Sequence, residues 1–150
     1  MSILKLEQGE NNPILRKKSQ PIEKIDEEIL KLAQDMIETM YKANGVGLAA
    51  CQVGKGIRIF VLPENLCKKQ IFINPEIIKM SKKTNSIDEG CLSLPGLFLS
   101  IKRADSLKIK AFDKNGKLFK LKTKKLLARV IQHEMDHLNG ILIVDKYEKN

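Results

Sequence analysis

Apolar residues return with two different periods along this chain, and the periods divide it into helices and strands. Ile29, Leu30, Ala33, Met36, Ile37 and Met40 keep a 3.6-residue spacing, which lines one face of an α-helix. Asp26 stands where a capping oxygen is needed, and Asn44-Gly45 form the pair that ends such a helix. After a glycine-rich loop the pattern changes to runs of β-branched and aromatic residues, "IRIFVL" and "IFINPEII", which read as strands. Further strands are expected in "LFLSIKR" and "SLKIKAFD", and "DKNG" turns the chain into "KLFKLK", so the middle is antiparallel. Thr123 is placed to open a second helix, which carries "QHEMDHLNG". The pattern predicts an α+β fold: short antiparallel sheets packed around a central helix that bears the histidines, with a second long helix toward the N-terminus.

The length of 150 residues suits one domain over 1–150. The longest apolar stretches fall far short of the roughly 20 residues that a membrane helix needs. The N-terminus "MSILKLEQGENNPILRKK" has the character of neither a signal nor a transit peptide, so a cytoplasmic protein is expected. Three scattered cysteines, Cys51, Cys67 and Cys91, point to thiols or a metal ligand rather than a disulfide framework. A formal charge of +9 and a pI near 9.5 favour a polyanionic partner. Two tyrosines, five phenylalanines and no tryptophan, however, leave little from which to build a base-stacking surface. The lysines of "KNGKLFKLKTKK" alternate with apolar residues, as on the solvated face of a strand.

The two histidines of the chain, His133 and His137, both lie in "QHEMDHLNG". Positions i and i+4 share a helix face, so both rings can reach one metal ion. Their stripe runs back through Val130 and Leu126, which sets the pair on the buried side. Glu134 shares the adjacent stripe with Leu127, Ile131 and Leu138 and also turns inward, where an unpaired carboxylate is costly. A general base beside a metal-bound water would use that charge. A third ligand is needed. Ile143 stands where one class of H-E-x-x-H enzymes supplies a third histidine. Downstream carboxylates are limited to Asp145 and Glu148, with no helix expected to hold either. The ligand is therefore expected upstream, and a thiolate suits a borderline divalent metal. Cys91, in "DEGCLSLPG", reads as a projecting loop residue, Cys67 as a turn residue among charges, and Cys51 as a packed core thiol. The residues alone prefer Cys91 without singling it out.

"GVGLAACQ" (Gly45 to Gln52), "EGCLS" (Glu89 to Ser93) and "QHEMDHLNG" resemble, in order and approximate spacing, the three signature motifs of peptide deformylases. The resemblance implies that Cys91, His133 and His137 bind one divalent ion, natively Fe2+, with Zn2+, Ni2+ or Co2+ as substitutes. It implies hydrolytic removal of the formyl group from the initiating methionine of new polypeptides. Glu134 would be general base and acid, with the Gln52 amide and the Leu92 backbone N–H as oxyanion donors. Val46 and Gly47 would offer backbone groups to an extended peptide. Val46, Ile87, Leu126, Arg129, Val130 and the edge of His133 would surround the methionine side chain, with the Arg129 stem in the pocket and its charge outside. Glu89 and Arg103 would pair nearby. The expected partners are nascent formylated polypeptides, with neither membrane nor DNA. Many members of this family continue into a C-terminal helix associated with ribosome docking. Here the chain stops at Asn150, so only a weak, salt-sensitive ribosome association through the basic surface is expected.

Overall fold

The computed structural model describes residues 2–147. A single turn, α1 (Pro13–Arg16), is capped by Asn12 and precedes α2 (Glu27–Lys42). Asp26 caps α2 by accepting from the Ile29 N–H at 3.0 Å, and Glu27 and Glu28 meet the positive end of its dipole. Its apolar face buries Ala33, Met36, Ile37 and Met40. Asn44, at φ 57°, closes the helix, and the Gly45 N–H returns to the Met40 carbonyl at 2.9 Å.

Seven strands follow: β1 (Leu48–Ala49), β2 (Ile59–Val61), β3 (Ile71–Met80), β4 (Thr84–Cys91), β5 (Leu94–Ala104), β6 (Ser106–Phe112) and β7 (Leu118–Lys124). The last helix is α3 (Lys125–Leu138). One antiparallel sheet has the order β1-β2-β3-β6-β7, and β4 and β5 form a separate hairpin. The "DKNG" turn between β6 and β7 is held by Asp113 Oδ1, which accepts from the Asn115 and Lys117 N–H groups at 2.9 and 3.0 Å.

The unbroken apolar run "IRIFVL" has a physical reason. Ile59 and Val61 face a cluster built on α2, whereas Phe60 and Leu62 face the larger cluster built on α3. With a helix on each side, β2 has no solvated face to make polar. Phe60 stacks on Phe72 with centroids 4.6 Å apart. Ala128, Ile131, Met135 and Leu138 bury α3 in the same cluster as Leu107 and Ile109 from the large sheet and Leu94 and Ile101 from the hairpin. The histidine helix is thus held between the large sheet and the hairpin. No helix among the described residues is long and apolar enough to cross a membrane.

Three expectations change. Thr123 does not cap α3: it lies in β7 opposite Leu107, the N-cap position is Lys124 without a side-chain cap, and Lys125 at φ 57° turns the corner. Pairing with β6 continues through Lys124, so the ladder satisfies backbone groups where a capping hydroxyl had been expected. Glu89, Gly90 and Cys91 belong to a strand rather than a loop. Cys91 ends β4, and Pro95 and Gly96 already lie in β5. Asp145 sits in a short 3₁₀ turn, Ile143–Asp145, where Arg16 pairs with it at 2.5 Å; Glu148 lies outside the described residues.

Candidate active site

Helix α3 presents His133 and His137 on one face, with their Nε2 atoms 3.2 Å apart. The end of β4 brings Cys91 to them, its Sγ 3.3 Å from His137 Nε2. All three donor atoms lie within 4.8 Å of one another. The N···N and S···N separations match the edges of a tetrahedron built on metal–ligand bonds of about 2.0–2.3 Å. The other two cysteines lie elsewhere: Cys51 is a fully buried thiol 3.4 Å from the His137 carbonyl, and Cys67 is packed in the core.

Behind His133 stands a buried ionic network. His133 Nδ1 is 2.9 Å from Glu89 Oε1, which leaves Nε2 free to face the cluster. Arg103 donates to both Glu89 oxygens at 2.7 and 2.9 Å and reaches Asp136 at 2.8 Å. Arg129 adds a contact of 2.5 Å to Glu89. Burial works against the ionised Glu89, but the hydrogen bonds from His133 and Arg103 prevail and hold its carboxyl at about 2.

Arg129 departs from expectation. Its guanidinium is not outside the pocket: it is buried, and besides Glu89 it donates to the Ile101 carbonyl at 2.9 Å and to the carbonyl and side chain of Asn85 at 2.7 and 2.6 Å. The antiparallel course of β4 and β5 supplies these acceptors. Asn85 and Asp136 complete this network, and no sequence pattern singled them out.

On the other side of His133 the situation reverses. Glu134 is 2 % exposed, and its Oε1 has no hydrogen-bond partner among the described residues. Burial pushes its carboxyl up to about 7, against the pull of the His133 and Arg103 charges. Gly47 lies against it; a Cβ there would stand 2.6 Å from Glu134 Oε2. Only glycine lets this backbone approach the carboxylate so closely. Gln52 is fixed at both ends of its amide, Oε1 accepting from the Ala49 N–H at 2.9 Å and Nε2 donating to Ser93 Oγ at 3.1 Å. That leaves Gln52 Nε2 3.8 Å from Cys91 Sγ. Ser93, the last residue of "EGCLS", is the partner that orients Gln52, and its place in that motif was the available signal. Leu92 lies in the turn between β4 and β5, its side chain against Gly45.

Gln52, Cys91, Leu92, His133 and Glu134 line a cavity of about 600 Å³. Val46, Ile87 and Leu126 are 58 %, 47 % and 53 % exposed and form its mouth, whereas Val130 is buried deeper. Leu126 therefore departs from the buried stripe that the helix period predicts.

The residues fit a divalent cation. One thiolate and two imidazoles suit a borderline metal, and three protein ligands would leave the open position of a catalytic site. Burial alone would lower the His133 pKa, yet hydrogen bonds to Cys91 and Glu89 and the charge of Glu134 raise it to about 10, so a metal held here would have to displace that proton. His137 is held well below the usual histidine range, by burial first and then by the charge of His133, so its ring is neutral, the form a metal ligand needs.

Known proteins resemble this chain in sequence and fold. The polypeptide deformylase family model matches residues 3–150. The chain is 51% identical over 135 residues to a peptide deformylase from Dictyoglomus thermophilum, covering 90% of this chain and 87% of that one. It is 48% identical over 139 residues to one from Borreliella burgdorferi, covering 92% and 84%. The crystal structure of peptide deformylase from Thermotoga maritima superposes with a TM-score of 0.94 at 39% identity, covering 99% of this chain and 100% of that chain. A sequence match along nearly its whole length and a shared fold establish that this chain belongs to the peptide deformylase family, hydrolases that act on formylmethionyl peptides.

Proposed function

We propose that this chain removes the N-formyl group of nascent polypeptides with Cys91, His133 and His137 holding the metal and Glu134 moving the proton. The observation that carries the reading is a buried carboxylate, one oxygen of which has no partner among the described residues, beside three clustered ligand atoms at an open cavity. A divalent ion held there would supply Lewis acidity and make hydroxide available near neutral pH. Fe2+ is the proposed native ion, with Zn2+, Ni2+ or Co2+ able to take the same donors. A thiolate ligand on ferrous iron makes the centre sensitive to oxygen and peroxide.

Glu134 takes a proton from the attacking water and later delivers it to the departing amine, so the formyl C–N bond breaks to formate and a free amino terminus. A carboxyl near pH 7 is poised for both transfers. Gln52 Nε2 and the Leu92 N–H donate to the oxygen on which charge develops; loss of one such donor costs about 3 kcal/mol of transition-state stabilisation. The extended peptide lies along the Val46 and Gly47 backbone. Its methionine side chain enters between Ile87, Leu126 and Val130, an apolar setting for a flexible thioether. Arg129 borders this pocket while its charge stays engaged by Glu89 and Asn85.

The test is formate release from a short N-formylmethionyl peptide by protein purified without oxygen and loaded with ferrous iron. Release is expected to fall by roughly 10²–10⁴ in Glu134→Gln with metal content unchanged. An iron-loaded, folded wild-type protein that releases no formate would contradict the reading.

A further inference from the structure

We infer that the face of β3, β6 and β7 carrying their lysines binds the phosphate backbone of an RNA strand. Lys79 lies directly opposite Lys108, and Lys108 directly opposite Lys122, so three lysines stand in one row across three strands. The next row is Glu76, Lys110 and Lys120, and Lys124 follows opposite Ser106. Residues directly opposite in a sheet have Cβ atoms about 4.5–5.5 Å apart, and like charges there are destabilising. Glu76, 3.6 Å from Lys110, relieves its own row. Among the described residues no carboxylate pairs with Lys79, Lys108 or Lys122. A merely solvated face has no need of this repulsion, whereas a binding surface retains it at a cost in stability.

A groove at the end of these strands supplies the second observation. It spans about 570 Å³ and is bordered by Lys79, Lys108, Lys122, Lys124 and Ser106, with the apolar Met80 and Leu107 also in its wall. Ammonium groups around a hydroxyl are the donors that phosphate oxygens take. Lys120, Lys122 and Lys124 recur at every second residue of β7, about 7 Å apart, a repeat close to that of successive phosphates on an extended strand. With so few aromatic residues in the chain, the surface reads backbone rather than bases. The Ser106 hydroxyl, opposite Lys124 on the lysine face, offers a partner to the 2′-hydroxyl that distinguishes RNA from DNA.

This inference is independent of the catalytic reading: Lys108 alternates along β6 with Leu107 and Ile109, which pack in the α3 cluster, so the lysine row leaves the sheet on the other side. The test titrates the full chain against a fluorescent single-stranded uridine RNA at several salt concentrations. Each neutralised phosphate contributes about −0.7 to the slope of log K against log salt, so contacts from Lys79, Lys108, Lys122 and Lys124 give about −3. The triple variant Lys79→Gln, Lys108→Gln, Lys122→Gln is expected to bind at least tenfold more weakly at low salt with a slope nearer −1. Its melting temperature should equal or exceed the parent's, because the repulsive row is gone, and formate release from a short peptide should be unchanged. Equal binding and slope in parent and variant, absence of RNA binding at low salt, equally tight binding of a DNA strand, or tighter binding to phosphatidylserine vesicles would each overturn the inference.

Discussion

Glu89 and Glu134 are two buried carboxylates on opposite sides of His133, and their surroundings drive them in opposite directions. Glu89 meets Arg103, Arg129 and His133 and is held at about 2; Glu134 has an oxygen without a partner and is pushed up to about 7. Burial is common to both, so partners decide the outcome. In the proposed function the difference divides the labour: a carboxylate fixed as an anion would orient a ligand histidine, and one left near neutrality would carry a proton.

Substitution of each carboxylate should separate these roles. Glu89→Gln leaves Arg103 and Arg129 buried without their anion, and should cost about 3–5 kcal/mol in a denaturant melt of the metal-free protein. The same change is expected to weaken metal binding by about 10–100-fold, because His133 loses the group that fixes its ring. A melt close to wild type would mean that the network contributes far less than its geometry implies.

The second expectation concerns the other carboxylate. Gly47→Ala places a methyl group 2.6 Å from Glu134 Oε2, and the flexible carboxylate must move aside. A displacement of about 1 Å can cost about 10² in rate, so kcat for formate release should fall toward that extent with the melting temperature nearly preserved. Unchanged kcat would show that the position of Glu134 is not critical.

Acid titration gives a smaller signature. The folded Glu89 carboxyl lies at about 2, below its ordinary 4.5. Its stabilisation is therefore fully present above about pH 4.5 and is lost as pH falls toward 2. Between these values wild-type stability should decline more steeply than that of Glu89→Gln, as measured by urea melts at successive pH. Parallel curves would count against the strongly ionised Glu89.

The smallest effect is a lack of reaction. The Cys51 thiol is pushed up to about 12, by burial first and then by the charges of Glu134 and Cys91, and burial also raises Cys67. Native, metal-free protein treated with iodoacetamide should be modified at Cys91, with Cys51 and Cys67 labelled only after denaturation, as read by peptide mass spectrometry.

The helices were largely legible in the sequence because their signals are local. The period of α2, its Asp26 cap and the i, i+4 histidines each lie within a few residues of one another. Strand β4 was not. "TNSIDEGC" has neither alternation nor β-branched enrichment, and it pairs because β5 lies beside it. Thr123 carries a plausible capping hydroxyl, but the partner that decides its state, Leu107, is sixteen residues upstream across a hairpin. Arg129 read as a stem in the pocket with its charge outside for the same reason: its acceptors at Asn85 and Glu89 are about forty residues away in sequence. Cysteine chemistry alone left the third ligand open, and it was the resemblance of "EGCLS" to a deformylase motif that pointed to Cys91.

The opposition between the two carboxylates is tested by one pair of melts. Glu134→Gln and Glu89→Gln would be unfolded in urea beside the wild type, all metal-free, at pH 7. Glu134→Gln is expected to unfold at or above the wild-type midpoint, since it removes an unpartnered buried acid, while Glu89→Gln unfolds well below it. A loss in Glu134→Gln equal to that in Glu89→Gln would mean that Glu134 is held by the fold like its neighbour, and would contradict its assignment as the group left free to move a proton.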